Sequence, residues 1–232
     1  GLPHLPGYDF WARVIPARAV GGDLYDFIAL GKGKLGVAVG DVSDKGVPAA
    51  IFMALTRSLL RAEATRTLSP RLVLERVNHL LLDMNDEGMF VTLLYGVLDS
   101  ERHTFAYARA GHELPLLLEA NGSTRLIASG RGAPLGLFDD ITIDEQVIPL
   151  YRDSVLLLYT DGATDMTDSD LNLFGIDQLQ TTVRSAEPGC TAQRLCDEVW
   201  RKLAGHRGAS IQADDVALVA IRATRKTGEE AR

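Results

Sequence analysis

The chain has 232 residues, 46% of them hydrophobic and 24% charged, which is ordinary globular usage and excludes a disordered or fibrous protein. Its 24 basic and 31 acidic residues give a net charge of −7, with no dense Lys/Arg cluster to follow a phosphate backbone or an anionic membrane. No apolar run approaches the ~20 residues needed to span a bilayer, and no signal peptide opens the chain.

Apolar runs of strand length come first, at Tyr8–Ile15, Leu24–Leu30 and Leu35–Val42, separated by Pro, Gly and charged residues. Pro48 in a first turn opens a helix over Ala49–Ala64, with Ile51, Phe52, Leu55, Leu59 and Leu60 at helical spacing. Ser69 as N-cap and Pro70 at the first helical position start a second helix, whose stripe runs from Leu72 to Met84. The period then returns to that of strands at Val91–Asp99, His103–Arg109, Leu114–Ala120 and Thr124–Ile127, with Asn121-Gly122 as a hairpin signal, so this block is expected to form an antiparallel meander. Strands at Thr142–Leu150 and Ser154–Tyr159 precede helices at Ile176–Val183 and, capped by Thr191, Ala192–Leu203; Val216–Ile221 is the last strand. Such blocks predict an α+β fold, a four-layer α/β/β/α sandwich of two mainly antiparallel sheets flanked by helices. Residues 1–223 are expected to form one domain and residues 224–232 a polar tail.

Gly31-Lys32-Gly33-Lys34-Leu35-Gly36 spells GxGxxG but leads into a strand, so it reads as a hairpin loop and not a dinucleotide site. Cys190 and Cys196 offer neither a disulfide framework nor a metal knuckle, which fits a reducing cytoplasm. The histidines show no zinc-ligand spacing, and His112 reads as a structural hydrogen-bonding residue in a turn.

The informative feature is where aspartates fall. Asp41 and Asp44 follow the run Leu35–Gly40, Asp161 follows Val155–Tyr159, Asp214 and Asp215 precede Val216–Ile221, and Asp23 and Asp26 follow Gly21-Gly22. One aspartate at a strand end is usually a turn cap. Several that converge repel one another unless a cation neutralises them, and oxygen-only ligands select Mg²⁺ or Mn²⁺.

The series Gly21-Gly22-Asp23-Leu24-Tyr25-Asp26-Phe27, Gly40-Asp41-Val42-Ser43-Asp44-Lys45-Gly46, Ala110-Gly111-His112, Leu158-Tyr159-Thr160-Asp161-Gly162 and Asp214-Asp215-Val216 resembles the SpoIIE/RsbU branch of the metal-dependent, type-2C-like (PPM) protein serine/threonine phosphatases, from about Tyr8 to Ile221. The resemblance implies a binuclear Mn²⁺ or Mg²⁺ centre in which Asp41 bridges both ions, the Val42 carbonyl completes one sphere and Asp161 with Asp214 holds the second side. It further implies that Asp23 acts on one ion directly or through water, that Asp215 orients its neighbour or binds an additional ion, and that Asp26 lies one step farther out.

Two departures stand out. Ser43 occupies the place of the histidine that serves the eukaryotic branch as proton donor, which leaves the general acid unassigned. Arg18, five residues before Asp23, has the spacing of that branch's phosphate-binding arginine, and a surface ion pair is its alternative role. Asp44 stands where many relatives carry glycine and is expected to be tolerated.

The implied activity is hydrolysis of phosphoserine or phosphothreonine on a protein, with an anti-sigma-factor antagonist in bacterial partner switching as the implied substrate. The alternatives are a catalytically silent sensor or scaffold, and another metal-dependent phosphohydrolase. The abrupt start at Leu2-Pro3-His4 leads us to expect a fragment of a longer protein, and the resemblance implies upstream sensory or coiled-coil segments and homodimerisation acting on the helices after Asp41.

Overall fold

Apolar runs of strand length, several buried on both faces, set the strands, and apolar stripes set the helices, in the computed structural model, which describes residues 1–19, 21–84, 88–128, 130–187 and 189–224. In chain order the first elements are β1 (Tyr8–Ile15), β2 (Leu24–Gly31), β3 (Lys34–Val42), α1 (Val47–Ala64), α2 (Pro70–Leu82), β4 (Val91–Asp99) and β5 (Thr104–Ala110). There follow β6 (Leu116–Leu118), β7 (Thr124–Leu126), β8 (Glu145–Pro149), β9 (Val155–Tyr159), α3 (Asp161–Thr164), α4 (Gly175–Arg184), α5 (Ala192–Arg207) and β10 (Val216–Ala223). The elements form two antiparallel sheets, each flanked by helices, which is the α+β class expected. They divide into two compact units: one of Gly1–Ala17, Leu114–Ile127 and the chain from Leu150 onward, the other of Arg18–Glu113 with Ala128–Pro149.

The second of these, the α1–α2 unit, contains the sheet β2-β3-β4-β5-β8. Leu24, Ile28, Ala38 and Val42 on its helix-facing side bury against Phe52 and Leu60 of α1 and Val73, Val77 and Leu81 of α2. The tight turn Gly31-Lys32-Gly33, with φ of 73°, 48° and 71°, joins β2 to β3, so the GxGxxG string is the hairpin loop that its strand context predicts. Helix α1 starts two residues before the expected Ala49, because Gly46 takes a φ of 87° and a ψ of −150° at the N-cap and turns the chain early. Helix α2 starts as predicted: the Ser69 side chain accepts a hydrogen bond from the Leu72 amide and Pro70 is its first residue.

In the α4–α5 unit the sheet order is β1-β10-β9-β6-β7. Its core packs Leu116, Leu157 and Leu218 of the sheet with Leu179 and Val183 of α4 and Leu195, Val199 and Leu203 of α5. The expected meander from Val91 to Ile127 is therefore corrected: β4 and β5 pair as neighbours, but the β6–β7 hairpin leaves them and β6 pairs with β9. Gly111 at φ 70° and Pro115, which has no amide to donate, interrupt the run and shorten β6 to Leu116–Leu118. The Asn121-Gly122 turn closes this hairpin, with Gly122 at φ 84° and the Glu119 amide donating to Ser123 O at 2.8 Å. Helix α5 runs on to Arg207 and stops where Gly208 adopts φ 57°. Thr224 belongs to the fold, its amide donating to Gly7 O at 2.8 Å; the rest of the expected tail, 225–232, lies outside the described residues.

Candidate metal centre

In the α1–α2 unit the ladder pairs Leu24 with Gly40, so Asp23 and Asp41 are the next residues along on adjacent chains. Gly22 allows a close approach there: a Cβ at this position would stand 3.1 Å from Val42 O and 3.4 Å from Asp41 Oδ1. Asp23 is buried, Asp41 partly buried, and Thr92 Oγ1 donates to Asp41 O at 3.4 Å. Sequence and register thus bring together Asp23, Asp41 and Val42, three of the predicted ligands.

In the α4–α5 unit the end of β9 is locked to the start of β10. Thr160 Oγ1 accepts from the Ala217 amide at 2.8 Å, and the Thr160 amide donates to Ala217 O at 3.2 Å. Asp161 then begins α3, a single turn in which Asp161 O accepts from the Asp165 amide at 2.7 Å. This helix has no signal in local pattern, since Asp161-Gly162-Ala163-Thr164 has the composition of a turn. Gly162 lies so near Asp214–Asp215 that a Cβ would fall 1.8 Å from Asp215 O and 3.5 Å from Asp214 Cβ. Asp215 is buried, with Oδ1 accepting from the Ala17 amide at 2.7 Å; Asp214 is partly buried, with Oδ1 accepting from the Asp215 amide at 2.9 Å. Gln212 Nε2 braces the turn by donating to Ile15 O at 2.9 Å and Asp214 O at 2.8 Å. Asp161, Asp214 and Asp215 therefore share one corner of this unit.

Both corners offer only oxygen donors, which fits a hard divalent cation, and the space beside Gly22 is framed by a carboxylate oxygen and a backbone carbonyl. Among the described residues no group of three or more His, Cys, Asp or Glu side chains is gathered closely enough to hold an ion by itself. Each corner instead presents its acids on backbone that hydrogen bonds and close glycine contacts already fix.

The remaining candidates fall differently. Asp26 is buried on the α1-facing side of β2, where Arg57 Nη2 reaches Oδ1 at 3.0 Å and Arg61 Nε and Nη2 reach Oδ2 and Oδ1 at 2.5 and 2.6 Å. Burial alone would raise its pKa, but the hydrogen bonds and charge of Arg61 and Arg57 outweigh burial and hold the carboxyl below the usual carboxylate range. Asp26 is thus bound to Arg57 and Arg61 of α1.

Ser43 Oγ accepts from the Phe90 amide at 2.8 Å, and the Ser43 amide donates to Phe90 O at 2.8 Å, so this residue extends the β3–β4 ladder. Asp44 adopts φ 75°, in the left-handed region that favours glycine, and its Oδ1 accepts from the Lys45 amide at 2.8 Å. His112 is buried with Nδ1 3.0 Å from Thr92 Oγ1, and its carbonyl accepts from Arg109 Nη1 at 2.5 Å, which is the structural role expected. Arg18 is exposed and forms no ion pair among the described residues.

Acid-bearing sheets of this topology define a PP2C-like phosphatase fold. The structure of the PP2C phosphatase domain and a fragment of the regulatory domain of SpoIIE from Bacillus subtilis matches with a TM-score of 0.80 at 17% identity, over 93% of this chain and 63% of that one. The chain belongs to the SpoIIE family, described as Stage II sporulation protein E, whose match covers residues 31–224. The structure of the RsbU and RsbW domains of Rv1364c from Mycobacterium tuberculosis is similar with a TM-score of 0.82 and 30% identity, over 97% of this chain and 64% of that one. The phosphoserine phosphatase RsbU of Bacillus subtilis is 28% identical over 71% of this chain and 49% of its own length. The chain spans less than half the length of curated relatives it matches, 38% and 49% for two of them.

Proposed function

We propose that this chain is the catalytic domain of a metal-dependent protein phosphatase that hydrolyses phosphoserine or phosphothreonine. The observation that carries this reading is the pair of close glycine approaches, Gly22 against Asp41–Val42 and Gly162 against Asp214–Asp215, each of which presents hard oxygen ligands on fixed backbone. Asp23, Asp41, the Val42 carbonyl, Asp161, Asp214 and Asp215 are the proposed ligands of two Mn²⁺ or Mg²⁺ ions. When bound, such ions supply Lewis-acid stabilisation of the phosphoryl oxygens and lower the pKa of water.

Water attacks phosphorus directly, the bond to the serine or threonine oxygen breaks, and a proton passes to that oxygen. No thiol suits a covalent route: burial pushes both Cys190 and Cys196 upward in pKa, and Cys196 is fully buried. Ser43 Oγ accepts from the Phe90 amide, and a serine hydroxyl is too weak an acid to take the place of a histidine as proton donor. Arg18, exposed at the start of the Asp23 segment, is the proposed contact for substrate phosphate.

Residues 1–223 act as one catalytic domain in this proposal. The chain passes between the two units four times, so neither is a continuous segment. A phosphoprotein of the anti-sigma-factor-antagonist kind is the proposed substrate in a bacterial partner-switching circuit, as the resemblance to the SpoIIE/RsbU branch implies; the relative RsbU is itself named a phosphoserine phosphatase. Homodimerisation, an upstream sensory or coiled-coil segment and a reducing cytoplasm complete the proposal; both cysteines are free, and no helix among the described residues is long and apolar enough to cross a membrane.

Asp41→Ala and Asp161→Ala are each expected to abolish Mn²⁺-dependent phosphate release from a phosphoserine protein and from an aryl phosphate; retained turnover would overturn the assignment. One observation favours a second reading, a silent scaffold: no ready-made group of three metal-ligating side chains stands among the described residues. Absence of any Mn²⁺ binding by the wild-type chain would establish that reading instead.

A further inference from the structure

The carboxylate of Asp26 lies on the same face of β2 as Leu24 and Ile28, which belong to the apolar core beneath α1. Its side chain is 3% exposed, whereas its partners Arg57 and Arg61 are each 48% exposed. A charge in such a place is costly unless paired and hydrogen-bonded, and here two guanidinium groups supply four N–H···O contacts, the fourth from Arg61 Nη2 to Phe27 O at 3.2 Å. Arg57 and Arg61 are one helical turn apart, so they close on β2 from a single face of α1.

This clamp completes a closed loop of connections around the ligand corner. Strands β2 and β3 are tied by their ladder, with Leu24 opposite Gly40 and Asp26 opposite Ala38. Beyond Val42, only residues 43–46 separate β3 from α1, and Gly46 takes a conformation that fixes the entry angle of the helix. The third side runs from α1 back to β2 through Asp26, three residues from Asp23. Besides it, α1 meets the β2–β3 ends through the short connection and through apolar contact, and apolar contact is non-directional.

We propose that Arg57 and Arg61, acting through Asp26, are positioning residues for the ligand corner formed by Asp23, Asp41 and the Val42 carbonyl. They fix α1 against β2, and so hold the segment after Val42 and the entry to β2 in mutual register. The bidentate fork of Arg61 carries the orientation, and a lysine, which offers a point charge, preserves attraction without direction.

The proposal rests on the metal-centre reading, and calorimetric Mn²⁺ titration of the full chain, with hydrogen exchange of the backbone amides, separates the two. Wild type, Arg61→Lys and Arg61→Ala are compared well below each variant's Tm. Expected are Mn²⁺ binding by wild type, affinity weakened by about tenfold in Arg61→Ala with Arg61→Lys between, and faster exchange at Leu24–Phe27 and Ser43–Gly46. A lowered Tm with unchanged Mn²⁺ affinity and unchanged exchange at those amides would reduce the clamp to a structural contact and overturn the proposal. Should Arg61→Ala not fold, Arg61→Lys decides by the same comparison. If the wild type binds no Mn²⁺, the metal reading falls, and exchange at the two segments alone decides whether the clamp positions them.

Discussion

The two acidic corners are built in different ways. In the α1–α2 unit, Asp23 and Asp41 extend a regular ladder, and the close approach at Gly22 leaves 3.1 Å between a notional Cβ and Val42 O. In the α4–α5 unit there is no ladder at the acids. A reciprocal pair of hydrogen bonds at Thr160 and Ala217, one turn of helix and a 1.8 Å notional contact at Gly162 hold Asp161 beside Asp214–Asp215. A corner made by register has neighbouring strand to absorb a perturbation. A corner made by backbone pressed on backbone has none, so it is expected to be the more brittle of the two.

Substitutions sharpen or break that contrast. The largest effect is expected from Gly162→Ala, because backbone carbonyl cannot rotate away as a side chain can. Destabilisation of about 2–3 kcal/mol and loss of turnover on the order of a hundredfold are predicted, read by urea unfolding and phosphate release. Thr160→Val removes the acceptor for the buried Ala217 amide and should cost about 1–3 kcal/mol in the same unfolding assay.

Gly22→Ala asks the neighbours to give by a few tenths of an ångström, and a cost near 1 kcal/mol with a weakened Mn²⁺ affinity is expected by calorimetry. If Gly22→Ala proves as damaging as Gly162→Ala, the contrast between the corners is wrong. The smallest effect belongs to Asp44→Gly, which relieves a non-glycine φ of 75° and loses one exposed hydrogen bond; Tm should change by the equivalent of under about 1 kcal/mol, with turnover unchanged.

Much of this architecture is legible from local pattern. Continuous apolar runs at Leu35–Gly40 and Val155–Tyr159 place both strand ends that carry Asp41 and Asp161, and Ser69-Pro70 marks the start of α2. What local pattern omits is pairing over long distance. Nothing in Leu114–Ile127 tells that β6 pairs with β9 across a separation of some forty residues, and not with the preceding β5.

The Asp26 clamp was hidden for a similar reason. Arg57 and Arg61 fall outside the apolar stripe of α1, although their i,i+4 spacing, set beside an aspartate at the buried parity of Leu24 and Ile28, is the signal that a charge pair spans helix and sheet. Ser43 shows the converse. Its residue type fixes what it cannot do as a proton donor, but only the Phe90 amide shows what it does.

The most direct test of the central claim is the stoichiometry of Mn²⁺ binding, measured by calorimetry on the wild-type chain and on Asp41→Asn and Asp214→Asn, which keep side-chain size and remove the charge. Two ions per wild-type chain, with binding lost or sharply weakened in each variant, is the predicted result. Titrations of both variants that superimpose on the wild type would contradict it.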